Sequence, residues 1–210
     1  KKNKVNKIIY ISSLDIKFNT NYGISKKIAE EIVKNSGLEY VILRPSLMYG
    51  ENFKKGIPEL INLIKKSFII PVPGNGKNLF CPLYVNDLNL IIYQIIDKNK
   101  FNKKTYFICG NSEISMNNLI DLIDLYLNKN ITKIHFPVVL MKKVLNLFGI
   151  NINMIDNACI NKTESNNEIK KDFNFNPIGI ENGVRMFFKE NEFLRAKGIW
   201  KDQSRNEKNY

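Results

Sequence analysis

Two apolar runs constrain this chain most. Ile8-Ile9-Tyr10-Ile11 and Tyr40-Val41-Ile42-Leu43 flank a helical pattern over Asn21–Ser36. Both runs are apolar at consecutive positions, as expected for strands covered on both faces. Strand, helix and strand in that order make a crossover unit, which implies a parallel pair. The expected helix begins at Asn19, Thr20 or Asn21 and ends at Gly37. Its expected buried face is Ile24, Ile28 and Ile32, joined by Ala29 and Val33. Arg44-Pro45 stops the second strand.

The ends of these elements carry chemistry. Ser12 and Ser13 close the first strand, where open α/β sheets present their sites. Tyr22 opens the helix, and Lys26 lies about one helical turn on, on the same face. An ammonium beside a phenol favours the phenolate, so such a pair can give and take a proton at a carbon that exchanges a hydride. A serine hydroxyl beside the phenol can hold the same substrate oxygen. The group suits alcohol–ketone interconversion, with a cofactor as hydride acceptor, since no side chain can accept one.

Downstream, helices are expected over Pro58–Lys66, from Asn86 or Asp87 to Asp97, and from a Ser115 cap to Leu127. Phe80–Val85 is expected to be a short extended piece, strands are expected over Thr105–Cys109 and Ile131–Phe136, and Pro71, Pro73, Gly74 and Gly76 mark a loop. Pro137–Gly149 is an amphipathic helix, expected in the core of a small lobe rather than on a membrane surface. Short helices are expected over Glu164–Lys171 and Ile180–Glu190, with a frayed tail over Lys201–Tyr210.

Composition narrows the function classes. The 210 residues carry a net charge of +12. The lysines are spread through the chain, with no arginine cluster and no basic run interleaved with aromatics, so no nucleic-acid partner is expected. The charge would instead attract phosphorylated substrates. Cys81, Cys109 and Cys159 are an odd number without short spacing, so neither a disulfide framework nor a metal site is expected, and a reducing, cytoplasmic setting is.

The ordered pattern is more specific than any of its pieces. Strand-Ser12-Ser13, then Tyr22-Gly23-x-Ser25-Lys26, then Arg44-Pro45-Ser46-Leu47-Met48-Tyr49-Gly50, resembles the extended short-chain dehydrogenase/reductase family. That family includes NAD-dependent nucleotide-sugar epimerases, dehydratases and ketoreductases. Pro73-Gly74-x-Gly76, Pro82-Leu83-Tyr84-Val85-x-Asp87-Leu88, Tyr106–Gly110 and Phe173–Pro177 extend the likeness over most of the chain.

The resemblance implies an α/β fold: a partial Rossmann-like parallel sheet, its C-terminal half, with a small α+β substrate-binding lobe. Residues 1–50 would belong to the dinucleotide-binding part and 51–200 to the lobe, with one strand near 105–109 returning to the sheet; 201–210 would be a polar tail. It implies Tyr22 as acid/base, Lys26 as the cation that supports the phenolate and bonds the nicotinamide ribose, and Ser13, rather than Ser12, as the substrate-orienting hydroxyl. Pro45, Ser46 and Leu47 would pack on the nicotinamide of NAD or NADP. Asn75, Lys77 and Asn78 would contact a nucleotide-sugar, and Arg44 would be structural.

The sequence has no glycine-rich turn between a strand and a helix to cradle a pyrophosphate. With a start at Lys1 rather than Met, this leads us to expect a truncated or split chain. Its first strand would present an edge to a missing N-terminal half, and the helix bearing Tyr22 could meet a homodimer partner. A non-catalytic scaffold on the same fold is the alternative.

Overall fold

The computed structural model describes residues 5–51, 53–147 and 158–196. Its centre is a three-stranded parallel sheet. Strand β1 (Lys7–Ile11) pairs with β2 (Glu39–Pro45), placing Ile9 opposite Val41. On its other side β2 pairs with β7 (Lys104–Ile108), placing Leu43 opposite Tyr106. The sheet order is therefore β1-β2-β7, the crossover that the two apolar runs imply. Val41, Ile42 and Leu43 are wholly buried, as consecutive apolar residues on a central strand require. Among the described residues β1 has one neighbour, and its side chains are half-buried.

Helix α1 (Asn21–Lys34) covers one face of this sheet. Thr20 caps it, its hydroxyl accepting from Gly23 N at 3.0 Å. The opposite face packs on α3 (Val85–Asp97) and on the short α6 (Asn167–Asp172). Asp172 accepts from Lys100, Lys104 and the Tyr106 hydroxyl at 2.6–2.9 Å, which fastens α6 to the sheet.

The second core belongs to the lobe. It joins α2 (Ile57–Lys66), α4 (Met116–Leu127) and α7 (Ile180–Ala196) to two parallel pairs, β3 (Met48–Tyr49) with β6 (Leu83–Tyr84) and β4 (Ile69–Pro73) with β9 (Thr132–Phe136). Strand β5 (Leu79–Phe80) meets β8 (Ile114–Ser115) in antiparallel fashion, and α5 spans Val138–Leu147. The hydroxyl of Ser115 caps α4 as expected, accepting from Asn118 N at 3.1 Å.

Three expectations are corrected. Helix α1 buries Gly23, Glu30 and Val33, whereas Ile24, Ile28 and Ile32 are exposed by 44–67%. The helix is turned because Arg44 on β2 draws Glu30 inward, a contact that apolar periodicity does not encode. Ile69–Pro73 is a strand and not a loop: Ile70 and Val72 point inward while the prolines lie where a two-stranded ribbon tolerates a missing N–H. Neither Asn86 nor Asp87 caps α3; buried Asp87 instead accepts from Ile178 N at 3.1 Å, tying the segment before α7 to it. Burial pushes the Asp87 carboxyl above its ordinary range. The expected tail over 201–210 lies outside the described residues.

Candidate active site

A cavity of about 510 Å³ opens where β1 and β2 end. Ser12 and Ser13 leave β1, Pro45-Ser46-Leu47 leave β2, and Tyr22 projects from the first turn of α1; all six line the cavity. Ladder bonds run past both strand ends and fix these loops: Ser12 N donates to Leu43 O at 2.7 Å and Ser46 N to Ile108 O at 2.9 Å. The hydroxyl of Ser46 is turned away, donating to Cys81 O at 2.5 Å.

Of the three expected proton-handling residues, Ser13 and Tyr22 line the cavity and Lys26 lies against the Tyr22 ring. Lys26 Nζ donates to the last carbonyl of β1, Ile11 O, at 3.0 Å. It lies 5.3 Å from the centre of the Tyr10 ring and 5.7 Å from that of Tyr22. The ammonium is thus anchored at the strand end with two N–H groups left over. Ser13 Oγ accepts from Asp15 N at 3.1 Å and caps the 3₁₀ turn Leu14–Lys17. Its lone pair is engaged locally, and its hydroxyl proton remains available to the cavity. Tyr22 is half-exposed toward the same space.

Behind them stands a buried ion pair. Glu30 is 1% exposed, and Arg44 donates to it through two bonds, Nε to Oε1 at 2.8 Å and Nη2 to Oε2 at 2.6 Å. The guanidinium also stacks over Phe107 at 4.9 Å. Burial alone would raise the Glu30 carboxyl. The bonds from Arg44, with the charges of Arg44 and Lys34, outweigh it and hold Glu30 below the ordinary carboxylate range. Ser12 Oγ is buried at the strand end and has no hydrogen-bond partner among the described residues, while Ser13 lines the cavity with its hydroxyl proton unengaged.

Gly23 sets the distance between α1 and the 3₁₀ turn. A Cβ there would lie 2.3 Å from Asp15 O and 2.6 Å from Phe18 O, both backbone atoms. Gly23→Ala is therefore expected to cost about 1–3 kcal/mol. Gly179→Ala, with nothing within 4 Å of its Cβ, should change stability by less than about 0.5 kcal/mol. Urea denaturation of the two variants checks this; equal midpoints would contradict it.

The far wall was not legible in advance. Ile57, Leu60 and Leu63 of α2 form it with Phe80, Met116 and Leu119. Lys162 completes the rim, its ammonium donating to Asp15 at 2.6 Å and its backbone N to Leu79 O at 2.8 Å. Lys17 pairs with Glu164 beside it. No local motif announces Lys162, because its partner lies far away in sequence.

Asn75, Lys77 and Asn78 are not brought to this cavity. Asn75 and Lys77 line a separate surface pocket with Asn117 and His135, and Asn75 Oδ1 accepts from Lys77 N at 3.0 Å. Asn78 donates to Cys159 O at 2.5 Å.

The residues fit one end of a nicotinamide dinucleotide. Pro45 and Leu47 give an apolar shelf beside Tyr22, and the spare Lys26 donors suit a ribose hydroxyl. Among the described residues no glycine-rich strand–helix turn accompanies them. Gly74 and Gly76 lie in the other pocket's loop, where the Gly76 Cβ position is filled by the Asn117 side chain. Among the described residues no cluster of metal-ligating side chains occurs, and no helix is long and apolar enough to cross a membrane.

Comparison with known proteins bears on the fold and the family. A UDP-glucose 4-epimerase of Vibrio cholerae is 26% identical over 133 residues, 61% of this chain and 40% of the epimerase. The chain thus spans about two-fifths of that relative. Among solved structures, a UDP-glucose 4-epimerase of Thermotoga maritima superposes with a TM-score of 0.71 at 16% identity, covering 93% of this chain and 65% of that one. A dTDP-4-dehydrorhamnose reductase of Bacillus anthracis, solved with NADP, gives 0.66 at 23% identity, covering 88% and 66%. Residues 3–109, which hold the serine pair, Tyr22, Lys26 and the Arg44–Gly50 strand end, match the NAD dependent epimerase/dehydratase family, and to that family this chain belongs.

Proposed function

We propose that this chain carries the proton-handling site of an NAD(P)-dependent epimerase/dehydratase-type oxidoreductase acting on a nucleotide-sugar. The observation that carries the reading is that Ser13 and Tyr22 line one cavity at the strand ends while Lys26, fixed on the last carbonyl of β1, lies against the Tyr22 ring. In this reading the Tyr22 phenol exchanges a proton with a substrate hydroxyl as it interconverts with a ketone. Ser13 donates a hydrogen bond to the same oxygen, its own lone pair being held by Asp15 N. Lys26, fixed on Ile11 O, keeps a positive charge beside the phenolate while the proton is away. A bound nicotinamide dinucleotide would supply the hydride acceptor, with Pro45 and Leu47 against its ring and Lys26 at its ribose. Substituting Tyr22 by phenylalanine is the experiment that tests the reading.

The pyrophosphate of that dinucleotide has no cradle in this group of residues. In this proposal a glycine-rich half, joined beside β1, supplies it. Calorimetric titration of the 210-residue chain with NADH should give no micromolar affinity; micromolar binding would contradict this part.

A scaffold role is the second reading, favoured by β1 having a single neighbouring strand among the described residues and by the exposed Ile24, Ile28 and Ile32. It predicts that Ile28→Glu abolishes association with a protein partner or second copy, seen by light scattering, while Tyr22→Phe has no consequence.

A further inference from the structure

The cavity has two unlike halves. Around Tyr22 it is bounded by the serines of the strand ends. Toward α2 and α4 it is walled by Phe53, Ile57, Leu60, Phe80, Met116 and Leu119.

Away from Ser12, Ser13 and Tyr22, polar side chains along the cavity are engaged within the protein. Ser46 donates to Cys81 O, Asp15 accepts from Lys162, and Glu59 accepts from Gly56 N at 3.0 Å. Lys55 is exposed at the mouth. A sugar ring bearing several free hydroxyls would lose its water against this wall and find few groups to replace it, at a cost for each unpaired hydroxyl.

We propose that the α2–α4 half of the cavity is a subsite for an apolar group of the substrate, a hydrocarbon or acyl moiety attached next to the reacting carbinol. The proposal rests on Ser13, Tyr22 and Lys26 being the site of carbinol–ketone exchange. Given that, the carbinol sits at Tyr22 and the next atoms of the substrate extend over Leu60 and Leu119. Leu63, at the end of the same wall, is exposed, so the subsite is open at the mouth to a longer chain. Substrates with a deoxygenated or acylated ring are favoured over fully hydroxylated ones.

The test is a homologous series of methyl ketones, 2-butanone, 2-hexanone and 2-octanone, titrated into the 210-residue chain by ligand-observed NMR. Neither cofactor nor turnover is needed. Affinity should rise about fourfold per methylene, which is about 0.8 kcal/mol. Leu60→Asn should cut that slope by at least half. Leu63→Asn, at an exposed position, repeats the test should Leu60→Asn fail to fold.

A flat series in the unaltered chain overturns the subsite. So does a slope left unchanged by both variants, because the ketones would then bind elsewhere. A flat series together with turnover that depends on Tyr22 removes the subsite and leaves the catalytic reading standing. A steep, Leu60-dependent series with turnover indifferent to Tyr22 also overturns the proposal, since the apolar cavity would then serve no reaction at Tyr22.

Discussion

Arg44→Ala should lower the stability of the folded chain by about 3–5 kcal/mol. The size follows from what is left behind. Glu30 is buried under α1, and the guanidinium is its principal partner, through two short bonds. Without Arg44 the carboxylate keeps its desolvation and loses most of its compensation. The guanidinium also covers Phe107, so some packing goes with it. Replacing both members by apolar residues, Glu30→Leu with Arg44→Met, should recover much of the loss, because no charge is then buried alone.

The pH dependence has a definite sign. In the unaltered chain Glu30 is held below its unfolded value, so its contribution is fully present above about pH 4.3, the unfolded glutamate range. It is lost as pH falls through the depressed folded value. In Arg44→Ala burial dominates and the carboxyl shifts upward, so the folded state binds the extra proton. The penalty of that variant should then shrink on going from pH 7 toward pH 4. Denaturant unfolding of both proteins at those two pH values measures it, and a penalty that grows toward pH 4 would contradict the assignment.

This ion pair also shows where sequence reading stops. The β1–α1–β2 unit was legible because its signals are local: consecutive apolar residues, a capping Thr20 and a stop at Arg44-Pro45. The rotation of α1 was not, because Glu30 and Arg44 lie in different elements and nothing in the sequence pairs them, although the resemblance gave Arg44 a structural role. Periodicity chose Ile24, Ile28 and Ile32 as the inner face, and a single bidentate contact with a close approach at Gly23 decided otherwise. Strand β4 was hidden by its prolines, which mark a loop unless the edge position is known. Within the site, Ser13, Tyr22 and Lys26 were legible as one ordered motif. The apolar wall and Lys162 were not, since only folding brings α2, α4 and the Lys162 segment over the strand ends.

The largest effect on activity is expected from Tyr22→Phe. The change removes one hydroxyl from a half-exposed side chain at the start of a helix whose cap, Thr20, and close contact, Gly23, are untouched. Stability should therefore stay within about 0.5 kcal/mol. The lost group is the proton donor and acceptor of the proposed reaction, and such groups contribute about 10²–10⁴-fold. The loss should appear in kcat rather than in KM, because the hydroxyl acts on the oxygen whose charge changes in the transition state. Dinucleotide affinity, which the proposed reading assigns to Lys26, Pro45 and Leu47 rather than to the Tyr22 hydroxyl, should be unaffected.

Turnover of a nucleotide-ketosugar with NAD(P)H, compared between the unaltered protein and Tyr22→Phe with any glycine-rich half that it requires supplied, is the decisive measurement. A fall in kcat of about 10²–10⁴-fold with unchanged dinucleotide affinity is the predicted result. Equal turnover by the two proteins would contradict the assignment of Tyr22 as the acid/base.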